Sequence, residues 1–174
     1  MIRLGFGGGC HWCTEAVFQA FRGVARVDQG FVASDPPDEA FSEAAVVDFD
    51  PAIVPVAALV EAHLLTHAST SAHSMRGKYR SAVYVDGDER GAEVRAILDD
   101  LARGFEAPLV TRTLPLRAFR ASPERFRDYY ATDPERPFCR TYIDPKLDAL
   151  RERFGREGLV RSDRVALSRA EPER

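Results

Sequence analysis

The sequence predicts an α+β domain with a ferredoxin-like core, in which helices pack on a mixed, largely antiparallel sheet. The prediction rests on the order of apolar patterns in the first half of the chain. Four segments alternate as strands do, and two have the apolar spacing of a helix. Their order is strand, helix, strand, strand, helix, strand. With 174 residues, the chain suits a single domain with a sizeable core.

Turn and capping residues set the bounds of these core elements. Gly23 ends the first helical pattern, and Asp50-Pro51 turns the chain after the third strand. Pro55 is tolerated in the first turn of the second helix. The predicted elements, in chain order, are strand Ile2–Phe6, helix Thr14–Arg22, strands Val24–Val32 and Glu43–Phe49, helix Pro55–His67 and strand Tyr79–Val85.

Peripheral elements are predicted after this core. A helix at Asp88–Ala102, an extended segment at Leu109–Phe119 and helices at residues 122–131 and 144–154 complete a catalytic domain of residues 1–154. A proline-containing loop at 132–140 holds the last cysteine. The charged segment 155–174 is predicted to be a tail, with partial disorder.

Composition excludes several classes of function. A net charge of −3 gives no electrostatic reason to expect a nucleic acid partner, and no apolar run reaches membrane-spanning length. No secretory leader pattern opens the chain, so we expect a cytoplasmic protein. Three cysteines in a reducing compartment do not predict a disulfide framework. They are read as reactive thiols or as core residues.

The segment Gly7–Glu15, GGGCHWCTE, points to chemistry. It places Cys10 where a strand turns into a helix, after glycines that let the backbone approach a ligand. Backbone N–H groups at a helix start favour a thiolate. Cys13 lies one turn further, which is also the Cys-x-x-Cys pattern of a dithiol oxidoreductase. No ligand set for a metal is evident.

The same segment resembles the active-site signature of the A-type peptide methionine sulfoxide reductases, Gly-Cys-Phe-Trp followed closely by Glu. Four further segments match that family in order. They are SEAAVVDFDP from Ser42, LLTHAST from Leu64, YRSAVY from Tyr79, and PFCR from Pro137 followed by IDPKL from Ile143.

The resemblance implies a role for each matched residue. Cys10 is the nucleophile that attacks the sulfoxide sulfur, Glu43 is the acid and Tyr79 a hydrogen-bond donor to the sulfoxide oxygen. The product is a Cys10 sulfenic acid. Cys139 is the favoured resolving cysteine and Cys13 its rival. A dithiol such as thioredoxin then reopens the disulfide, and no bound cofactor is expected.

The expected substrate site combines residues that match the family pattern with residues that differ from it. Trp12 is expected to form an apolar wall for the S-methyl group, and His11 replaces the phenylalanine of the signature. Phe31 lies in a shortened loop region that lacks the family's tyrosine, and Ser74 stands where the family has an aspartate. These differences predict altered substrate affinity. The remaining alternatives are a dithiol oxidoreductase that uses Cys10 and Cys13, or a non-catalytic member that only binds.

Overall fold

Six strands form one mixed sheet. They are β1 (Ile2–Gly7), β2 (Val24–Ala33), β3 (Ser42–Phe49), β4 (Ala82–Val85), β5 (Arg112–Pro115) and β6 (Ala118–Ala121), in a computed structural model that describes residues 1–162. Their order across the sheet is β5-β4-β1-β3-β2-β6. All neighbouring pairs are antiparallel except β4 with β5. The four central strands have the ferredoxin-like order, so the predicted fold class is confirmed.

Helices cover one face of the sheet. They are α1 (His11–Gln19), α2 (Val56–Thr66), α3 (Asp88–Ala102), α4 (Tyr129–Thr132) and α5 (Asp144–Phe154). The main apolar core lies between them and the sheet, where the rings of Phe6 and Phe18 stack with centroids 4.2 Å apart. A smaller cluster around Tyr84 covers the opposite face. Within residues 1–162, no helix combines the length and apolar character needed to cross a membrane.

Two core elements begin three residues away from their predicted starts. Helix α1 starts at His11, three residues earlier than expected, because Cys10 itself adopts the extended cap conformation (φ −58°, ψ 128°). Strand β4 starts at Ala82, so Tyr79 precedes the strand instead of lying in it. The residues before it are held by other contacts: the carbonyl oxygen of Lys78 accepts the N–H of Glu43 at 3.0 Å, and the guanidinium of Arg76 binds the carbonyl oxygens of Gly8 and Tyr79.

The segment after the sheet differs more from the prediction. The helix expected at 122–131 is two short pieces, a 3₁₀ turn at Glu124–Phe126 and helix α4. They are separated because Asp128 has a left-handed backbone (φ 53°). The predicted loop around Cys139 is also wrong, since this residue begins a π-helical turn, Cys139–Ile143, that leads directly into α5.

The chain after Phe154 continues to pack on the domain. The backbone of residues 159–161 pairs with the end of α1, with hydrogen bonds from Arg22 N–H to Leu159 O (2.8 Å) and from Arg161 N–H to Ala20 O (2.9 Å). The side chain of Val160 is buried. The first eight residues of the predicted tail are therefore described with the domain, while residues 163–174 lie outside the described residues.

Candidate active site

Cys10 lies between β1 and α1, as predicted. Gly8 has a φ of +153°, and a side chain there would collide with the ring of His67, so this approach of the chain requires glycine. The carbonyl oxygen of Cys10 accepts the N–H of Cys13 at 3.1 Å and so begins the helix. The Cys10 thiol is free and half-buried, which leaves it within reach of a ligand.

The surroundings of Cys10 favour its thiolate. A hydrogen bond from the Cys13 thiol is the largest effect that lowers the pKa of Cys10, and the backbone N–H groups of Trp12 and Cys13 lower it further. Burial and the carboxylate of Glu43 act in the opposite direction. The net result is a pKa below the ordinary thiol value, as a nucleophilic cysteine requires.

The other two cysteines are held in their protonated thiol form. The hydrogen bond to Cys10, and then burial, raise the pKa of Cys13 far above its ordinary value. Cys139 is fully buried, its thiol donates to the carbonyl oxygen of Asp133 at 3.6 Å, and burial raises its pKa. Electrostatic interaction with Cys139 also contributes to the raised pKa of Cys13. Cys13 therefore interacts with both other cysteines.

Glu43 and His11 meet beside Cys10. Glu43 lies on β3 opposite Phe31 of β2, and its carboxyl group is buried. Within the part of the chain that the structure describes, Glu43 Oε2 has no hydrogen-bond partner. The Nε2 atom of His11 lies 3.6 Å from Glu43 Oε1, and its Nδ1 lies 3.0 Å from the carbonyl oxygen of Gly30. The Phe31 ring meets the His11 ring edge-on at 5.2 Å.

Trp12 belongs to an aromatic wall next to Cys10. Its ring stacks parallel on Tyr129, with centroids 4.1 Å apart and an interplanar angle of 3°. Phe138 meets the same ring at 89° and 5.4 Å, and Phe126 lies 6.1 Å away. The wall therefore combines the start of α1 with two segments that are distant in sequence.

Glu15 holds that wall in place, which sequence reasoning missed. A glutamate near a helix start is most simply a surface residue that compensates the helix dipole, but the side chain of Glu15 is only 1% exposed. Its carboxyl oxygens accept the backbone N–H groups of Asp128 (3.0 Å) and Tyr129 (3.1 Å) and the amide of Gln29 (3.0 Å). Burial raises its pKa to about 7, while these three hydrogen bonds oppose the rise. The sequence carries two signals for this residue: it matches the glutamate of the family signature, and it directly precedes the apolar run Ala-Val-Phe.

The 3₁₀ turn Ser74–Gly77 and the residues that follow it form another part of the site. Tyr79 is half-buried, and the Lys78 ammonium lies 5.0 Å from the centre of its ring. A hydrogen bond from Lys78 to Tyr79, together with the charges of Glu43 and Cys10, raises the pKa of Lys78. These interactions link Tyr79 to the group around Cys10. Ser74 is exposed, and its part in substrate binding stays a prediction.

A small cavity lies behind Cys10, between α1 and α2. Its volume of about 40 Å³ is enough for about two or three water molecules. His63 and His67 line it, and burial lowers the pKa of His63 well below its ordinary value and that of His67 to about 4. Both imidazoles are therefore neutral near pH 7. Within residues 1–162, no group of three or more His, Cys, Asp and Glu side chains is placed to hold a metal ion.

The fold and the site define an α+β protein of the thiol oxidoreductase class, with a cysteine of lowered pKa at a helix start and a buried carboxyl group beside it. The sequence profile of the peptide methionine sulfoxide reductases matches residues 3–158, and the chain belongs to this family. The peptide methionine sulfoxide reductase MsrA of Thermus thermophilus is 33% identical over 161 residues, which are 84% of this chain and 92% of the relative.

Solved structures have the same fold. Methionine sulfoxide reductase A of Corynebacterium diphtheriae superposes with a TM-score of 0.67 at 22% identity, over 76% of this chain and 75% of that chain. Mxr1 from Saccharomyces cerevisiae, in a complex with Trx2, superposes with a TM-score of 0.58 at 18% identity, over 71% of this chain and 81% of that one. The match to these structures supports the sheet order and the placement of the helices described above.

Proposed function

We propose that this chain reduces methionine S-sulfoxide, free or in proteins, to methionine, with the Cys10 thiolate as the nucleophile. The observation that carries the proposal is the half-buried Cys10 at the start of α1, with a lowered pKa and the Glu43 carboxyl group beside it. A sulfoxide sulfur is electrophilic, but its oxygen leaves only when protonated. A thiolate and a neighbouring acid together supply both requirements.

The reductive step balances within these two residues. The Cys10 thiolate attacks the sulfoxide sulfur, and protonated Glu43 gives its proton to the oxygen. The S–O bond of the substrate breaks, the sulfide leaves as methionine, and the oxygen and proton remain on Cys10 as a sulfenic acid. Glu43 ends the step as a carboxylate. Sulfur in the substrate is reduced by two electrons, and the sulfur of Cys10 is oxidised by two.

The substrate contacts follow from the residues around these two groups. The aromatic wall at Trp12 suits the S-methyl group, because a thioether packs favourably on an aromatic face. Phe31 and His11 bound the site on the side of β2. Tyr79 supplies a hydroxyl that can donate to the sulfoxide oxygen. Ser74, on the exposed turn, is the position at which we expect the backbone of a peptide substrate.

Cys13 is the cysteine that we propose condenses first with the sulfenic acid of Cys10. Its thiol already donates a hydrogen bond to Cys10, whereas Cys139 is fully buried and bonded to the Asp133 carbonyl oxygen. The condensation forms the Cys10–Cys13 disulfide and releases water. Cys139 remains a second resolving thiol, reached through exchange with the disulfide at Cys13.

An external dithiol completes the cycle without a bound cofactor. Thioredoxin is the reductant that we propose, supported by the family and by the complex that Mxr1 forms with Trx2. The two thiols of the reductant pass two electrons to the disulfide and restore Cys10 and Cys13. Because such dithiols are kept reduced in the cytoplasm, we propose that the protein works there.

A single-turnover experiment tests these roles together. The reduced protein is mixed with one equivalent of N-acetyl-methionine S-sulfoxide, and methionine formation and disulfide connectivity are measured by mass spectrometry. We expect one methionine derivative per protein and a Cys10–Cys13 disulfide. The Cys10→Ser variant is expected to form neither product. A Cys10–Cys139 disulfide as the first product would contradict the role of Cys13, and no methionine from the unaltered protein would contradict the proposed activity and leave a binding role.

The dithiol oxidoreductase remains a second candidate because of the hydrogen bond between Cys13 and Cys10. Glu43 distinguishes the two activities. Reduction of a sulfoxide needs an acid for the oxygen, whereas exchange with a protein disulfide does not. We expect Glu43→Gln to abolish sulfoxide reduction. If insulin disulfides are reduced rapidly by both the unaltered protein and this variant, the dithiol function is favoured.

A further inference from the structure

We propose that His11 is a positioning residue that shares the catalytic proton with Glu43. The pair then keeps this proton at pH values at which Glu43 alone would lose it. The inference rests on the proposed function, since Glu43 is the acid of that reaction. Phenylalanine, the usual residue of the signature at this position, could not take this part. His11 therefore changes how the acid works in this chain.

The hydrogen bond to Gly30 sets the tautomer of His11. A backbone carbonyl oxygen only accepts hydrogen bonds, so Nδ1 of His11, 3.0 Å from that oxygen, carries a proton in both charge states. In the neutral ring the lone pair is therefore on Nε2, which lies 3.6 Å from Glu43 Oε1. This nitrogen can accept a proton from Glu43 or donate one to it.

The strands hold the two side chains in this arrangement. Gly30 and Phe31 of β2 pair with Ala44 and Glu43 of β3, so the carbonyl group that orients His11 lies next to the acid. The Phe31 ring supports the imidazole at 5.2 Å, and His11 is only 7% exposed. At 3.6 Å the pair is wider than a hydrogen bond, and catalytic pairs commonly tighten when substrate is bound.

Other charged groups face this pair and remain in place when His11 is replaced. The thiolate of Cys10 and the ammonium of Lys78 both interact electrostatically with Glu43. On β6, the Arg120 guanidinium lies 5.0 Å from the centre of the Phe31 ring. A comparison of variants at position 11 therefore isolates the imidazole.

Sharing the proton changes how the reaction depends on pH. One proton on the pair is enough for catalysis, whichever of the two side chains carries it in the resting state. Removing that proton means removing it from the more basic of two sites, so the pair stays loaded to a higher pH than Glu43 alone. The expected consequence is an alkaline limb of the reductive step at higher pH than in a variant without the imidazole.

The test compares pH profiles of single-turnover methionine formation for the unaltered protein, His11→Phe and His11→Gln. We expect the alkaline limb of both variants at lower pH, with rates at pH 8 at least about tenfold below the unaltered protein and a much smaller difference near pH 5.5. Glutamine retains a hydrogen-bonding group but does not titrate. Alkylation profiles of Cys10 in each protein establish that the nucleophile has not changed.

A profile that does not move in His11→Phe overturns the inference, and so does a His11→Gln profile identical to that of the unaltered protein. A second measurement needs no turnover. The NMR titration of the His11 ring is compared in the unaltered protein and in Glu43→Gln, with the midpoint expected at lower pH in the variant. An unchanged midpoint contradicts the proton sharing between His11 and Glu43. Because this measurement needs no sulfoxide reduction, it separates failure of the inference from failure of the proposed function.

Discussion

The most informative prediction concerns Glu15, which is buried under the aromatic wall. Replacing it with glutamine keeps the size of the side chain but removes its titration. The unaltered carboxyl group accepts the backbone N–H groups of Asp128 and Tyr129 and an amide hydrogen of Gln29. We expect the stability difference between the Glu15→Gln variant and the unaltered protein to depend strongly on pH.

The size of that dependence follows from the pKa of Glu15. Burial raises it to about 7 from an ordinary value of 4.5. The folded protein therefore binds the proton more tightly than the unfolded chain does. At about 1.4 kcal/mol for each pH unit between the two values, Glu15 contributes about 3 kcal/mol below pH 4.5. This contribution is lost as the pH rises through about 7. The glutamine variant has no such contribution, because its side chain does not titrate.

Urea unfolding from pH 4 to 8 measures the effect, with the fluorescence of Trp12, the single tryptophan, and circular dichroism as probes. The unaltered protein alone is insufficient, because His63 and His67 have lowered pKa values and add stability as the pH rises. That contribution cancels in the difference between the two proteins. The exposed Glu124→Gln is the matched control and should leave the pH dependence unchanged.

Two results would contradict a raised pKa of Glu15 in the folded protein. A stability difference that is constant from pH 4 to 8 would mean that folding does not raise the pKa of this carboxyl group. A difference that shifts in favour of the unaltered protein as the pH rises would mean that hydrogen bonds from Asp128, Tyr129 and Gln29 outweigh burial. In either case the aromatic wall would rest on a carboxylate and not on a protonated group.

Two further predictions concern the nucleophile and its approach. Cys13→Ala should slow alkylation of Cys10 by iodoacetamide at pH 7 by about tenfold or more, because a hydrogen bond to a charged acceptor contributes about 1.5–3 kcal/mol. Cys139→Ala is the control. Equal alkylation rates in the unaltered protein and both variants would contradict the role of the Cys13 thiol. Gly8→Ala should lower the free energy of unfolding by about 2–3 kcal/mol, because of its positive φ and a collision with an imidazole. Gly9→Ala, where the added carbon would meet only His67 Cβ at 4.0 Å, should cost under about 1 kcal/mol, and equal losses in chemical denaturation would argue against this explanation.

The active site joins local and distant parts of the chain through Glu15. This residue lies on α1, five positions after Cys10, and it binds the backbone at the left-handed residue Asp128. The bond places Tyr129 for stacking on Trp12. A change at Glu15 is therefore expected to affect substrate binding as well as stability.

Local sequence patterns were enough to predict the core of the fold and the candidate nucleophile. Apolar periodicity is a local property, so the order of strands and helices up to β4 was readable, as was a cysteine at the start of α1. The glycine run and the collinear family motifs pointed to thiol chemistry in the same way. The predictions of secondary structure were wrong where tertiary contacts override local propensity. The expected helix at 122–131 is an example, because Glu15 interrupts it by binding the backbone of Asp128.

Which side chains lie next to one another depends on contacts between distant parts of the chain. Glu43 is 33 positions from Cys10, and no periodicity reports that β3 brings it next to the imidazole of His11. Burial, which raises the pKa of Glu15 and lowers those of His63 and His67, depends on packing by residues far along the chain. The sequence shows which groups are available for chemistry, whereas distances and desolvation, which set their protonation, exist only in the folded chain.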